Sequence, residues 1–184
     1  MILFDEVGKI NTNQVLKIVN DAASKNNIKK VIIPSTSGET AKVAFNFLKN
    51  IELLIVTHCY GFSSPDTQEF PDDLRNELQK KGVKILTTTH SFGTIGRAIR
   101  KKFQTYEIDE IIANTLRIFG QGTKVAIECT LMCADSGLVK TNELVISCGG
   151  TDEGIDTALI IKPSNLHTFF DLKVVEILCK PKLV

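Results

Sequence analysis

The chain has 184 residues and 43% hydrophobic content, close to the usual size of one domain and apolar enough to cover both faces of a sheet. Lys+Arg of 22 against Asp+Glu of 21 leave a formal net charge of +1 with no basic block or acidic tail, so nothing attracts polyanions over a distance and no nucleic-acid partner is expected. Apolar runs such as Val31 to Ile33 and Leu53 to Val56 fall far short of the ~20 residues of a membrane-spanning helix. Asp5, Glu6 and Asn11 stand where a secretory signal would be basic and then apolar, so the expectation is a soluble, cytoplasmic protein with no membrane partner.

After a short apolar start, Asn11 to Asn13 offer capping side chains for a helix in which Val15, Leu16, Ile18, Val19 and Ala22 recur at helical spacing, ending near Asn26. Val31, Ile32 and Ile33 form a β-branched run stopped by Pro34, the pattern of a strand buried on both faces. The polar turn from Ser35 to Thr40 opens a helix over Glu39 to Lys49, and Leu53 to Thr57 is the next buried strand. A long loop from His58 to Phe70 follows. Pro71 then sits in the first turn of a helix closed by Gly82, and Val83 to Thr88 reads as a strand. Thr94 to Lys102, Ile108 to Phe119 and Thr123 to Ala134 have helical spacing and are expected to cross the sheet in series. Glu143 to Ser147 gives a further strand, and a glycine-rich turn follows it. Ala158 to Lys162 and Lys173 to Leu178 close the chain, the last strand expected antiparallel at an edge.

Strands alternating with helices predict an α/β fold, in one domain over residues 1 to 184, with a mostly parallel sheet and helices on both faces. Ligands of such sheets bind beyond the carboxyl ends of the strands, where the strings STSGET, THCYGF, THSFGT and CGGTDEG fall.

Ser35, Thr36, Ser37, Gly38, Glu39 and Thr40 place hydroxyls and a glycine between a buried strand and a helix amino terminus. Unpaired amides and the positive end of the helix dipole favour a phosphate there, and an ordinary helix cap would use the same residue types. The Glu39 charge would repel a phosphate unless it points away. In the last loop, Gly149, Gly150, Thr151 and Thr157 could close over the same ligand, and Asp152 and Asp156 suit a sugar or ribityl hydroxyl better than a phosphate. The echo Thr57-His58-Cys59-Tyr60-Gly61 and Thr89-His90-Ser91-Phe92-Gly93 aims two histidines at the crevice, as general acid or base or as simple hydrogen-bond partners. With only His58, His90 and His167 in the chain, no multi-histidine metal site is expected. The five cysteines are odd in number, contain no CxxC pair and read as reduced, mainly structural thiols. Glu128 is expected at the solvent margin of its helix beside Lys124.

STSGET after a buried strand, and GGTDEGIDTALIIKPS near the end, resemble the carboxyl-terminal domain of pyruvate kinase. The likeness spans most of the chain, and the catalytic barrel of pyruvate kinase is absent from it. LLIVTHCYGFSSPDTQEFPDDLR and THSFGTIGRAI are similar to strings of a stand-alone, pyruvate kinase α/β-domain-like family. The resemblance implies a doubly wound sheet, FMN in the crevice with its phosphate on Ser35 to Thr40, and no established activity. A sugar-phosphate-binding regulatory module without catalysis is the alternative. By position, Tyr60, Gly61, Phe62 and Phe92 would lie by a flavin ring, and His58, Thr89, His90 and Ser91 by its polar edge. The resemblance also implies self-association, with Lys173 to Leu178 as the edge strand that would pair.

Overall fold

The computed structural model describes residues 1–183. Each buried strand sends alternate side chains to opposite layers, as a period of two requires. Val31 and Ile33 join one core with the helical residues Val15, Leu16, Ala41 and Leu74, while Ile32 between them joins a second core with Ala126, Leu131 and Cys133.

In chain order the elements are β1 (Ile2–Phe4), α1 (Thr12–Lys25), β2 (Lys30–Pro34), α2 (Glu39–Phe47), β3 (Glu52–Val56), α3 (Asp72–Lys80) and β4 (Lys84–Leu86). Then come α4 (Ile95–Phe103), α5 (Ile108–Arg117), α6 (Gln121–Asp135), β5 (Val145–Gly149), β6 (Thr157–Lys162) and β7 (Lys173–Pro181). Short 3-10 turns at Gly8–Asn11 and Leu166–Asp171 precede α1 and β7. The strands form one seven-stranded sheet in the order β1-β7-β6-β5-β2-β3-β4. The pairs β2–β3, β2–β5, β3–β4 and β1–β7 are parallel, while β6 runs antiparallel to both β5 and β7. The mostly parallel α/β sheet with helices on both faces is therefore the one its alternating pattern predicts.

Two local expectations are corrected, and one unassigned segment resolves into an element. The apolar start is a strand, because Ile2, Leu3 and Phe4 pair with Cys179, Lys180 and Pro181. β1 pairs only with Cys179 to Pro181 of β7, so Lys173 to Leu178 keeps the open edge expected of it, and β6, antiparallel to both its neighbours, lies inside the sheet. Of the three consecutive helices only α6 lies on the strands, packed on β2, β5 and β6, with α5 on α6 and α4 on α5. Glu128 is not marginal. The sheet on one side and α5 on the other bury almost the whole of α6, Lys124 and Glu128 included.

From β2 the chain goes through α2 to β3 on one side, and it returns through α6 to β5 on the other. The strand order thus reverses between β2 and β5, and the loops leaving those two carboxyl ends part to leave a crevice there.

Candidate functional site

That crevice is a cavity of about 810 Å³. Its floor is the β2–α2 loop. Pro34 ends the strand, Ser35 N–H still donates to Val56 O across the ladder, and Gly38 turns the chain into α2 at φ +89°. Ser35 Oγ accepts the Ala41 N–H at 3.2 Å, a cap from inside the loop, while the Glu39 and Thr40 amides have no intrahelical acceptor. Glu39 points its carboxylate to Lys42 at 2.9 Å on the exposed side, which offsets its charge.

The opposite wall comes from Gly150, Asp152, Glu153 and Gly154 after β5. Gly149 does not face the cavity: it packs so closely on the Gly122 carbonyl of α6 that a Cβ would collide. Asp156 is turned inward and fully buried. It accepts the Gly8 N–H at 2.9 Å, the Thr151 N–H at 3.1 Å and the Thr157 hydroxyl at 2.8 Å, so it clamps this loop to the start of the chain. Thr151 and Thr157 serve that clamp and lie outside the cavity lining.

His58 and Phe62 close the third side, their rings stacked at 3.8 Å between centroids. His58 Nδ1 lies 3.3 Å from Glu69 Oε1, and its Nε2 lies 3.4 Å from Thr36 Oγ1. Tyr60 and Gly61 are exposed on the same loop and do not line the cavity. Behind Phe62 sits His90, its ring 5.3 Å from Phe62 and 5.5 Å from His58, with Arg97 over the Phe62 face at 4.9 Å. Burial pushes the His90 pKa down to about 4, outweighing the Glu128 carboxylate 3.8 Å from its Nδ1. Glu128 is already committed, pairing with Lys124 and accepting the Phe92 N–H at 2.9 Å. The Phe92 ring is therefore core, edge-on to Phe169, and Thr89 and Ser91 beside it do not reach the lining.

A family model for the pyruvate kinase alpha/beta domain matches residues 13–161, from α1 through β6. The chain belongs to that family. Two solved structures, a pyruvate kinase from Cryptosporidium parvum and the pyruvate kinase of that organism in complex with ADP, are similar to it at TM-scores of 0.43 and 0.40. Their sequence identities are 14% and 15%, over 83% and 81% of this chain. The aligned part is 23% and 22% of those chains, so this one spans less than a quarter of their length.

Within the pyruvate kinase alpha/beta domain match lie both cavity loops, while Lys9, Ile10 and Thr12 precede it and yet complete the wall. Sequence reading missed those residues, and also Gln121 and Val125 of α6. No local motif marks them, since they meet the site only because α1 and α6 begin at the same end of the sheet. The consequence is electrostatic. The amino ends of α1 (Thr12, Asn13), α2 (Ser37, Glu39, Thr40) and α6 (Gln121) all open on one cavity, each with the positive end of a helix dipole, although the Thr12 amide already donates to Lys9 O in the preceding 3-10 turn. Among the described residues, no group of three or more His, Cys, Asp or Glu is placed to hold a metal ion.

Proposed function

We propose that this domain binds a phosphorylated small molecule, FMN being the first candidate, with the phosphate on the loop Ser35 to Thr40. The observation that carries this reading is the convergence of the amino ends of α1, α2 and α6 on one cavity. An anion there meets helix dipoles from more than one direction. The nearby carboxylates Glu39 and Glu153 are paired with Lys42 and Lys9, which reduces their repulsion.

FMN fits the residues present. A cavity of about 810 Å³ lies in the ordinary range for cofactor sites, roughly 300–1,000 Å³. Phe62 and His58 give the cavity an aromatic wall, and Asp152 an acceptor for ribityl hydroxyls. Bound FMN would supply redox chemistry, and this chain would supply binding and orientation.

The test is an absorbance spectrum of purified protein from about 300 to 550 nm, before and after incubation with FMN and desalting. Retained flavin bands that disappear in Thr36→Ala are the expected result and make the protein a flavoprotein. A colourless protein ends the flavin reading. Calorimetric binding of a sugar phosphate without turnover would then make the site a regulatory module.

A further inference from the structure

The geometry around His58 goes beyond holding a ligand. A carboxylate only accepts hydrogen bonds, so the proton shared with Glu69 Oε1 at 3.3 Å belongs to His58 Nδ1, and this tautomer leaves a lone pair on Nε2. Nε2 faces Thr36 Oγ1 at 3.4 Å, on the loop assigned above to the phosphate. The other Glu69 oxygen, Oε2, is buried and meets no donor among the described residues, so the carboxylate charge is directed at the imidazole. Phe62 stacked at 3.8 Å fixes the plane of the ring. With Nδ1 protonated, Nε2 accepts the Thr36 hydroxyl, so an oriented imidazole nitrogen borders the loop assigned to the phosphate.

We propose that His58 is a phosphoryl acceptor whose Nε2 takes the phosphoryl group of a donor seated in this cavity. The inference rests on the phosphate reading of the Ser35 to Thr40 loop. The donor class is one with a readily departing group, a phosphoramidate or an acyl phosphate. The Nε2 lone pair forms the new N–P bond as the donor's bond to phosphorus breaks. That electron pair leaves on the departing group, as neutral ammonia from zwitterionic phosphoramidate or as a carboxylate from an acyl phosphate. The Nδ1 proton stays in place, and the positive charge gained by the ring is met by Glu69. The amino ends of α2 and α6, which line the cavity, would offset the charge of the transferred phosphate. A phosphate monoester such as FMN, whose leaving group would be an alkoxide, binds without transfer. Glu69 is a positioning residue: by occupying Nδ1 it directs phosphorylation to Nε2.

The experiment incubates the full chain with phosphoramidate and follows intact mass, peptide mapping and 31P NMR. A parallel titration with inorganic phosphate measures binding alone. The exposed His167 serves as the internal measure of unspecific chemistry. The expected result is one acid-labile, alkali-stable phosphoryl group on His58 Nε2, formed at least about tenfold faster than any on His167. It is lost in His58→Asn, and Glu69→Ala spreads it between Nδ1 and Nε2 in a protein that still binds phosphate. Labelling of His58 no faster than His167, in a protein that binds phosphate, overturns the proposal and leaves the phosphate reading standing. Failure to bind phosphate together with unselective labelling overturns both.

Discussion

Gly38 carries the turn on which the cavity floor depends. At φ +89° it sits where an L side chain is strained by ~1–2 kcal/mol, and a Cβ there would run into the buried Leu74 Cδ2 methyl. Gly38→Ala is therefore expected to lose ~2–3 kcal/mol in urea unfolding and to weaken phosphate binding, because the loop amides move with the turn. Full stability in the variant would mean that the left-handed turn is dispensable. A second residue-scale effect concerns His90, whose proton affinity is depressed to a pKa of about 4 by burial, with His58, Lys124 and Arg97 adding to the effect against Glu128. The unfolded chain takes up this proton near pH 6.5, and the folded chain only near pH 4. Between those values the unfolded state holds more protons, so stability contributed by neutral His90 is complete above about pH 6.5 and declines as the pH falls toward 4. His90→Asn should flatten that limb of the stability profile, by an amount on the order of a few kcal/mol across the window. Urea midpoints measured from pH 7 down to 4 decide it, and an unchanged slope in the variant would refute the burial account.

Among the elements, α6 shows where a sequence pattern ran out. Its polar residues Lys124 and Glu128, one turn apart, read as a solvated margin, since such i,i+4 pairs usually face water. Tertiary packing overrides this: β2, β5 and β6 cover one side of α6 and α5 another, so both charges are only about 5% exposed and must satisfy each other. Glu128 also anchors the β4–α4 loop through the Phe92 amide. Lys124→Met strands the carboxylate and should cost ~3–5 kcal/mol, the scale of breaking a buried pair. Adding Glu128→Leu should return part of that loss but not all, because the Phe92 N–H is then left unpaired. A double variant less stable than Lys124→Met would show that the cost is one of packing and not of unpaired charge. β1 marks the same limit from the other side. Three apolar residues cannot display a period, and their strand identity comes from β7, 177 positions away in the chain.

Across the whole molecule, what was legible follows from physical range. The layered α/β order is carried by patterns a few residues long, so β2, α2, β3 and α3 were readable with their turn signals at Pro34, Pro71 and Gly82. The loop Ser35 to Thr40 was readable as part of a crevice for the same reason. The contributions of Lys9 and Gln121 were not, because the sheet order brings them to the cavity, and Glu69 and Arg97 reach His58 and Phe62 only through the folding of their loops and of α4. That order also fixes the chemistry of the thiols. Cys129 and Cys133 lie on α6, Cys148 on β5 and Cys179 on β7, so the two cores enclose them from both faces of the sheet. Burial pushes Cys133 and Cys179 up to about 12 and Cys129 and Cys148 well above the usual thiol range, so almost no thiolate exists at neutral pH. Cys59, half-buried on the His58 loop, is outside both cores. In native protein a small maleimide should therefore modify one thiol promptly, at Cys59, and all five in denaturant. Because the other four share the central sheet and its helix, they should react together, at a rate that rises with urea as global unfolding does. Prompt reaction at Cys179 alone would locate a separate local opening at β1 and β7, and would show that this end of the sheet is a less stable unit than the cavity-bearing half.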